Sequence, residues 1–150
     1  MFEPKPLDMT AAEILRHLRK FLLLLSLFLF GGALVELSLV GHTKELVQWL
    51  AFGLAGAGAF TLLLVLFRLS PATVRLLRLC MLLVVLGSVF GMYEHFSGNV
   101  AFAREVQPNS TTAHLFWRGL QGANPLLAPG VLAVAAILAL SATYRYEVGN

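Results

Sequence analysis

Apolar residues run along this chain in four blocks separated by short polar breaks. Residues 21–40 contain one charged side chain, Glu36, and residues 46–67 contain none; residues 76–96 and 126–144 are nearly as apolar. A helix rising 1.5 Å per residue needs about twenty residues to cross a hydrocarbon core of ~30 Å. Each block therefore predicts one membrane-crossing helix.

Local signals place the helix starts. Thr10 and Glu13 in TAAE form a capping-box pattern, and Ile14, Leu15, Leu18, Phe21 and Leu22 continue at helical spacing. An amphipathic turn should thus lead straight into the first span. Ser70 followed by Pro71 reads as an N-cap with a first-turn proline, which starts the third helix near Pro71 with Arg75 and Arg78 inside it. Residues 97–125 read as a long loop, within which Ser110 to Thr112 should cap a short interfacial helix, AHLFWRGLQG, carrying Leu115, Phe116, Trp117 and Leu120. The expected fold is all-α: a single four-transmembrane-helix bundle over residues 1–150.

Composition agrees with lipid as the main solvent. The chain is 58% hydrophobic and 13% charged, with a mean hydropathy of +0.79. A net charge of +3 does not mark a nucleic-acid surface, because the basic residues flank apolar runs. The lone cysteine, Cys80, excludes an internal disulfide or a CxxC site. Block 21–40 exceeds a signal-peptide core of about 7 to 15 residues and no A-x-A site follows, so it is expected to be a retained span.

Charge also predicts orientation. With the N-terminus inside, Lys5, Arg16, Arg19, Lys20, Arg68, Arg75, Arg78 and Arg145 lie inward, and Lys44, Arg104 and Arg118 outward. That bias favours both termini in the cytoplasm. Arg68, Arg75 and Arg78 read as anchors for anionic lipid. An offset of 59 residues also superposes Arg16, Arg19, Gly32, Glu36 and Ser38 on Arg75, Arg78, Gly91, His95 and Ser97. Such a repeat would relate two parallel helical hairpins about an axis along the membrane normal.

Gly87 and Gly91 form a GxxxG pair, with His95 continuing the stripe and Glu94 beside it. Gly53 and Gly56, with Ala51, Ala55 and Ala59, suggest a second packing surface on the next-earlier helix, within the bundle or between protomers. Glu36 lies about 6 Å inward of Val40 by helical rise, deep enough to call for a partner. His95 is the expected partner, able to share a proton with it, followed by Glu94 and Tyr93. Asn99, Glu105 and His114 complete the expected ligand or proton layer. The bland alternative has Glu36 reaching headgroup water and His95 packing beneath the loop.

His95, His114 and His42, with nearby glutamates, offer metal ligands, yet no H-E-x-x-H spacing joins them. No cofactor is expected; a haem or divalent-metal redox protein is the alternative, and a hydrolase using a Glu and His base the third reading. There is no G-x-S-x-G elbow, and Asp8 is the single aspartate. The stretches YEHFSGN and GANPLLAPG, with four spans in this layout, resemble small uncharacterised bacterial four-helix integral membrane proteins. That resemblance implies a bacterial inner membrane and brings no activity, cofactor or catalytic residue. The expected function is non-enzymatic: binding a small cation, proton or polar ligand, in transport or as an accessory subunit. The expected partners are the lipid bilayer and either further copies of the chain or a larger membrane complex.

Overall fold

The computed structural model describes residues 10–41 and 46–145, the side chain of Leu46 excepted. His42, Lys44 and Lys5 lie outside the described residues, as do Glu3, Asp8, Glu45 and Glu147. Five helices and no strand form within them: α1 (Ala11–Leu39), α2 (Leu46–Phe67), α3 (Pro71–Val106), α4 (Thr112–Gln121) and α5 (Leu127–Ala142).

The starts follow the capping chemistry. Thr10 Oγ1 accepts from the Glu13 N–H at 3.3 Å while the Thr10 N–H donates to Glu13 Oε2 at 2.9 Å. Ser70 and Thr73 make the equivalent reciprocal pair ahead of α3, with Pro71 in the first turn. Thr111 caps α4 by accepting from the His114 N–H at 3.3 Å. At the other end of α1, Gly41 takes φ +62°, a left-handed conformation that glycine adopts without a Cβ penalty.

Two elements depart from expectation. α3 does not stop near residue 96 but continues to Val106, 36 residues in all and about 54 Å by helical rise. The stretch read as the first part of a loop is therefore helix. Ser97, Gly98 and Asn99 are weak helix formers, but α4 folds back on them and supplies the packing that propensity lacks. Gly119 of α4 is buried there, so close that an added Cβ would sit 2.5 Å from the Phe96 ring and 2.8 Å from Val100. Phe96 and Phe116 pack edge to face across the same contact, with centroids 5.8 Å apart. α5 is also shorter than expected, spanning 16 residues, or about 24 Å.

α1, α2, α3 and α5 form a ring in that order. α1 and α3 each pack on both α2 and α5, but not on each other. The core of the ring is built from Phe30, Leu62, Leu77, Met81 and Val84, closed by Ala135, Ala136 and Ala139 of α5. Those alanines let α5 sit close, and Ser26 of α1 donates to the Ala135 carbonyl at 2.7 Å. Outward faces are apolar as well: Phe28 is 74% exposed and Leu86 is 67% exposed. Three helices, α1, α2 and α3, are long and apolar enough to cross a membrane, and α5 is a shorter apolar helix. A surface of this kind identifies a membrane protein.

The glycines divide by position. A Cβ at Gly87 would collide with Leu54 of α2, and one at Gly91 would meet Pro129 of α5 at 3.1 Å, so the GxxxG stripe is a packing face. Gly53 and Gly56 have open space where a Cβ would stand, so they pack against nothing among the described residues. For these two glycines the within-bundle alternative is corrected, and the surface between protomers is the expectation left. Gly58 takes that role on α2, with the Phe30 ring 2.6 Å from the position of its missing Cβ.

Candidate functional site

Two opposite corners of the ring, α1 and α3, stand apart, and near α4 the space between them is not filled. A cavity of about 310 Å³ opens there, walled by α1, α2, α3, α5 and the turn that precedes α5. Small residues make the room: Ala33 on α1, Ala51 on α2, Gly87 and Gly91 on α3, and Ala128 on α5 all line it. Glu36 projects from α1, and Glu94 and His95 from the facing corner on α3. Ser88 and Asn124 supply the other polar lining, and the remaining described wall is apolar or glycine. No lysine or arginine is among the described lining residues.

The expected polar layer is thus brought together in part. Glu36, Glu94 and His95 share one cavity, with Glu36 exposed and the other two half-buried. Glu36 and His95 do not hydrogen-bond to each other; the His95 Nδ1 lies 2.8 Å from the Pro125 carbonyl oxygen. That oxygen can only accept, so Nδ1 is the donor and the histidine tethers the turn leading into α5. The direct Glu36 and His95 contact expected from the sequence is corrected to a shared wall.

Asn99 has a different role from the one expected. It is buried beneath the turn after α4, where Nδ2 donates to the Gly119 carbonyl at 3.0 Å and to the Asn124 carbonyl at 2.9 Å. Its Oδ1 accepts from the Asn124 N–H at 2.9 Å. With both ends of its amide committed, Asn99 is a fastener that holds Asn124 at the cavity rim. Tyr93, Glu105 and His114 are exposed and do not line the cavity. His114 stands in the first turn of α4 and Glu105 in the last turn of α3. Among the described residues no group of three or more His, Cys, Asp or Glu side chains is placed to hold a metal ion, and His42 lies outside them.

Ser88 was not singled out by its sequence context. Its residue surface is only 3% exposed, yet no described residue hydrogen-bonds its hydroxyl, while among the described residues no fully enclosed side-chain oxygen or nitrogen lacks a partner. The Ser88 oxygen therefore retains accessible surface, and the cavity it lines is where that surface opens. Other helical hydroxyls nearby behave differently: Ser38 donates to the Leu34 carbonyl at 2.7 Å and Thr61 to the Ala57 carbonyl at 2.9 Å.

The far end of the ring is closed by arginines. Arg78 donates to the Thr143 carbonyl and Arg19 to the Tyr144 carbonyl, the latter at 3.2 Å. Both satisfy carbonyls just past the C-terminus of α5, where a cation is also favoured by the helix dipole. Arg78, read from sequence as a lipid anchor, is thus half-buried and holds protein; Arg68 and Arg75 are exposed. Set against models of protein families, curated proteins and solved structures, the chain matches none.

Proposed function

We propose that this chain is a four-span protein of a bacterial inner membrane, with both termini in the cytoplasm, that binds a small cation in the cavity between α1 and α3. It acts without catalysis, in transport or as an accessory subunit of a larger membrane assembly. One observation carries the reading: Glu36 and Glu94 face a single, otherwise mostly apolar cavity from opposite corners of the ring, with no lysine or arginine in its described wall. Acidic side chains at membrane depth are costly unless they are paired or solvated, and a bound cation supplies the missing partner. The helix end beside the cavity offers an anion fewer N–H donors than an ordinary N-terminus. Of the first N–H groups of α5, Pro129 has none and Ala128 donates to the Pro125 carbonyl at 3.4 Å.

The metal and haem reading has no described ligand group to support it. Calorimetric titration of the full chain in lipid nanodiscs with potassium, magnesium and simple alkylammonium salts tests the proposal. Saturable binding of at least one of these is expected, with loss of that binding in the Glu36→Gln, Glu94→Gln double variant. Heats identical to those of empty nanodiscs for every cation would overturn it.

A further inference from the structure

The cavity holds more than a place for a charge. Its volume of about 310 Å³ lies at the lower end of the range for small-molecule pockets, roughly 300 to 1,000 Å³. At about 30 Å³ for each water-sized group, it accommodates roughly ten non-hydrogen atoms. A bare metal ion would leave most of that space empty. A fully hydrated ion would set its water shell against Leu50, Leu54 and Leu132, which offer no hydrogen bonds.

Polar groups stand at two levels on α3. Glu94 lies six residues beyond Ser88, or about 9 Å along the helix axis. Between them the wall is Phe90, Gly91 and apolar side chains from the neighbouring helices. The Ser88 hydroxyl, accessible on a residue only 3% exposed and without a hydrogen-bond partner among the described residues, is the observation that separates this site from a mere pair of acids. A hydroxyl that could have bonded back to its own helix instead opens on the cavity, and leaving such a group unsatisfied is costly.

We infer that the occupant is a small amphipathic amine: a protonated amino group held by Glu36 and Glu94, an apolar stem along the leucine wall, and a second hydrogen-bonding group that reaches Ser88. This rests on the cation-binding reading above and names its ligand class. The chemistry of each part matches its wall. An ammonium presents N–H donors to carboxylates in charge-assisted bonds, which are roughly twice as strong as neutral ones. The stem displaces water from an apolar surface, and a terminal hydroxyl can donate to or accept from the serine.

The test uses the full chain in nanodiscs with four probes: aminohexanol, hexylamine, hexanol and magnesium chloride, with empty nanodiscs subtracted. Aminohexanol is expected to bind most tightly and hexylamine a few-fold to roughly tenfold more weakly, the worth of one neutral hydrogen bond. Hexanol and magnesium are expected to be weaker still. Ser88→Ala should erase the advantage of aminohexanol over hexylamine while leaving hexylamine unchanged. Glu36→Gln and Glu94→Gln, made separately so that one misfolded variant does not end the test, should each weaken both amines by roughly tenfold or more. Ala33→Leu keeps every polar group and fills space, and should weaken both amines together.

The failures are distinguishable. Tight magnesium binding without amine binding, abolished by the glutamate variants, would overturn the amine assignment and leave the cation reading standing. An unchanged aminohexanol preference in Ser88→Ala would overturn the two-level assignment. Hexanol binding as tightly as hexylamine, with the glutamate variants silent, would overturn both readings, as would no binding of any probe.

Discussion

The same four helices make two different ends. Toward the chain termini the ring is packed: Phe30 and Met81 are fully buried, three alanines of α5 close the core, and Arg19 and Arg78 fasten the last carbonyls. Toward α4 the corners part around a cavity, and the fastening is done by His95 and Asn99, which hold a turn over its rim. Each end satisfies exposed backbone with side chains of α3, joined at the packed end by Arg19 of α1. The difference lies in what fills the middle. Large side chains facing small ones leave no void at the packed end, whereas small residues face one another on several helices near α4. Acidic groups are tolerated only where that space admits a partner or water.

Truncating a packed ring should expose this contrast most strongly. Phe30→Ala is expected to cost roughly 3 to 5 kcal/mol, because the fully buried ring fills the space over Gly58 and little can collapse into its place. Leu50→Ala, on the cavity wall and partly exposed, should cost about 1 kcal/mol or less, since it already lacks neighbours on one side. Denaturant unfolding in detergent measures both. Equal losses would mean that the two ends are packed alike.

The fastenings come next. Asn99→Ala leaves two carbonyls and one N–H of the turn without their partner, at about 1 to 3 kcal/mol for a buried group left unsatisfied. Its larger signature should be faster amide exchange at Asn124 and weaker ligand binding, because the cavity rim is released. Arg78→Met removes one bond from an end that Arg19 still holds, so exchange should rise over residues 143–145 while binding stays unchanged. An effect of Arg78→Met on binding equal to that of Asn99→Ala would show that the two ends are coupled.

Much of the bundle was legible because its signals are local or periodic. Apolar block length predicted α2 over its full range, and the caps at Thr10, Ser70 and Thr111 lie where side-chain chemistry put them. The run of α3 beyond residue 96 was not legible, since its stability comes from α4 packing back on it, a contact between residues far apart in sequence. For the site, the depth of Glu36 could be read from helical rise, and the 59-residue offset brought His95 to the same layer. The role of Asn99 could not, because a ligand-facing asparagine and a turn-fastening one look alike until the chain folds back. Ser88 gave no signal at all: a serine in an apolar helix ordinarily bonds to its own backbone, and only the partner count distinguishes it. The repeat relating residues 16–38 to 75–97 is compatible with the ring, in which α1 and α3 occupy opposite corners as a two-fold axis would demand. Arg19 and Arg78, its aligned residues, nevertheless both reach the end of α5, so the fastening itself does not follow the two-fold.

The smallest effects come from adding one methyl group to three glycines, and here the comparison is sharpest. Gly58→Ala drives a carbon against the Phe30 ring, which is fully buried and has nowhere to turn, so overpacking should cost about 1 to 3 kcal/mol. Gly87→Ala meets only the tip of Leu54, and that side chain lines the cavity. Leu54 can rotate into the empty volume, so strain is relieved and the gain in helix propensity, up to about 1 kcal/mol, offsets what remains. Stability should change little, while the cavity shrinks and amine binding falls. Gly53→Ala meets nothing within the chain and should stabilise by up to about 1 kcal/mol without touching binding. A loss of stability at Gly53, together with a shift in oligomer mass by light scattering, would mean that a second copy packs against that face of α2.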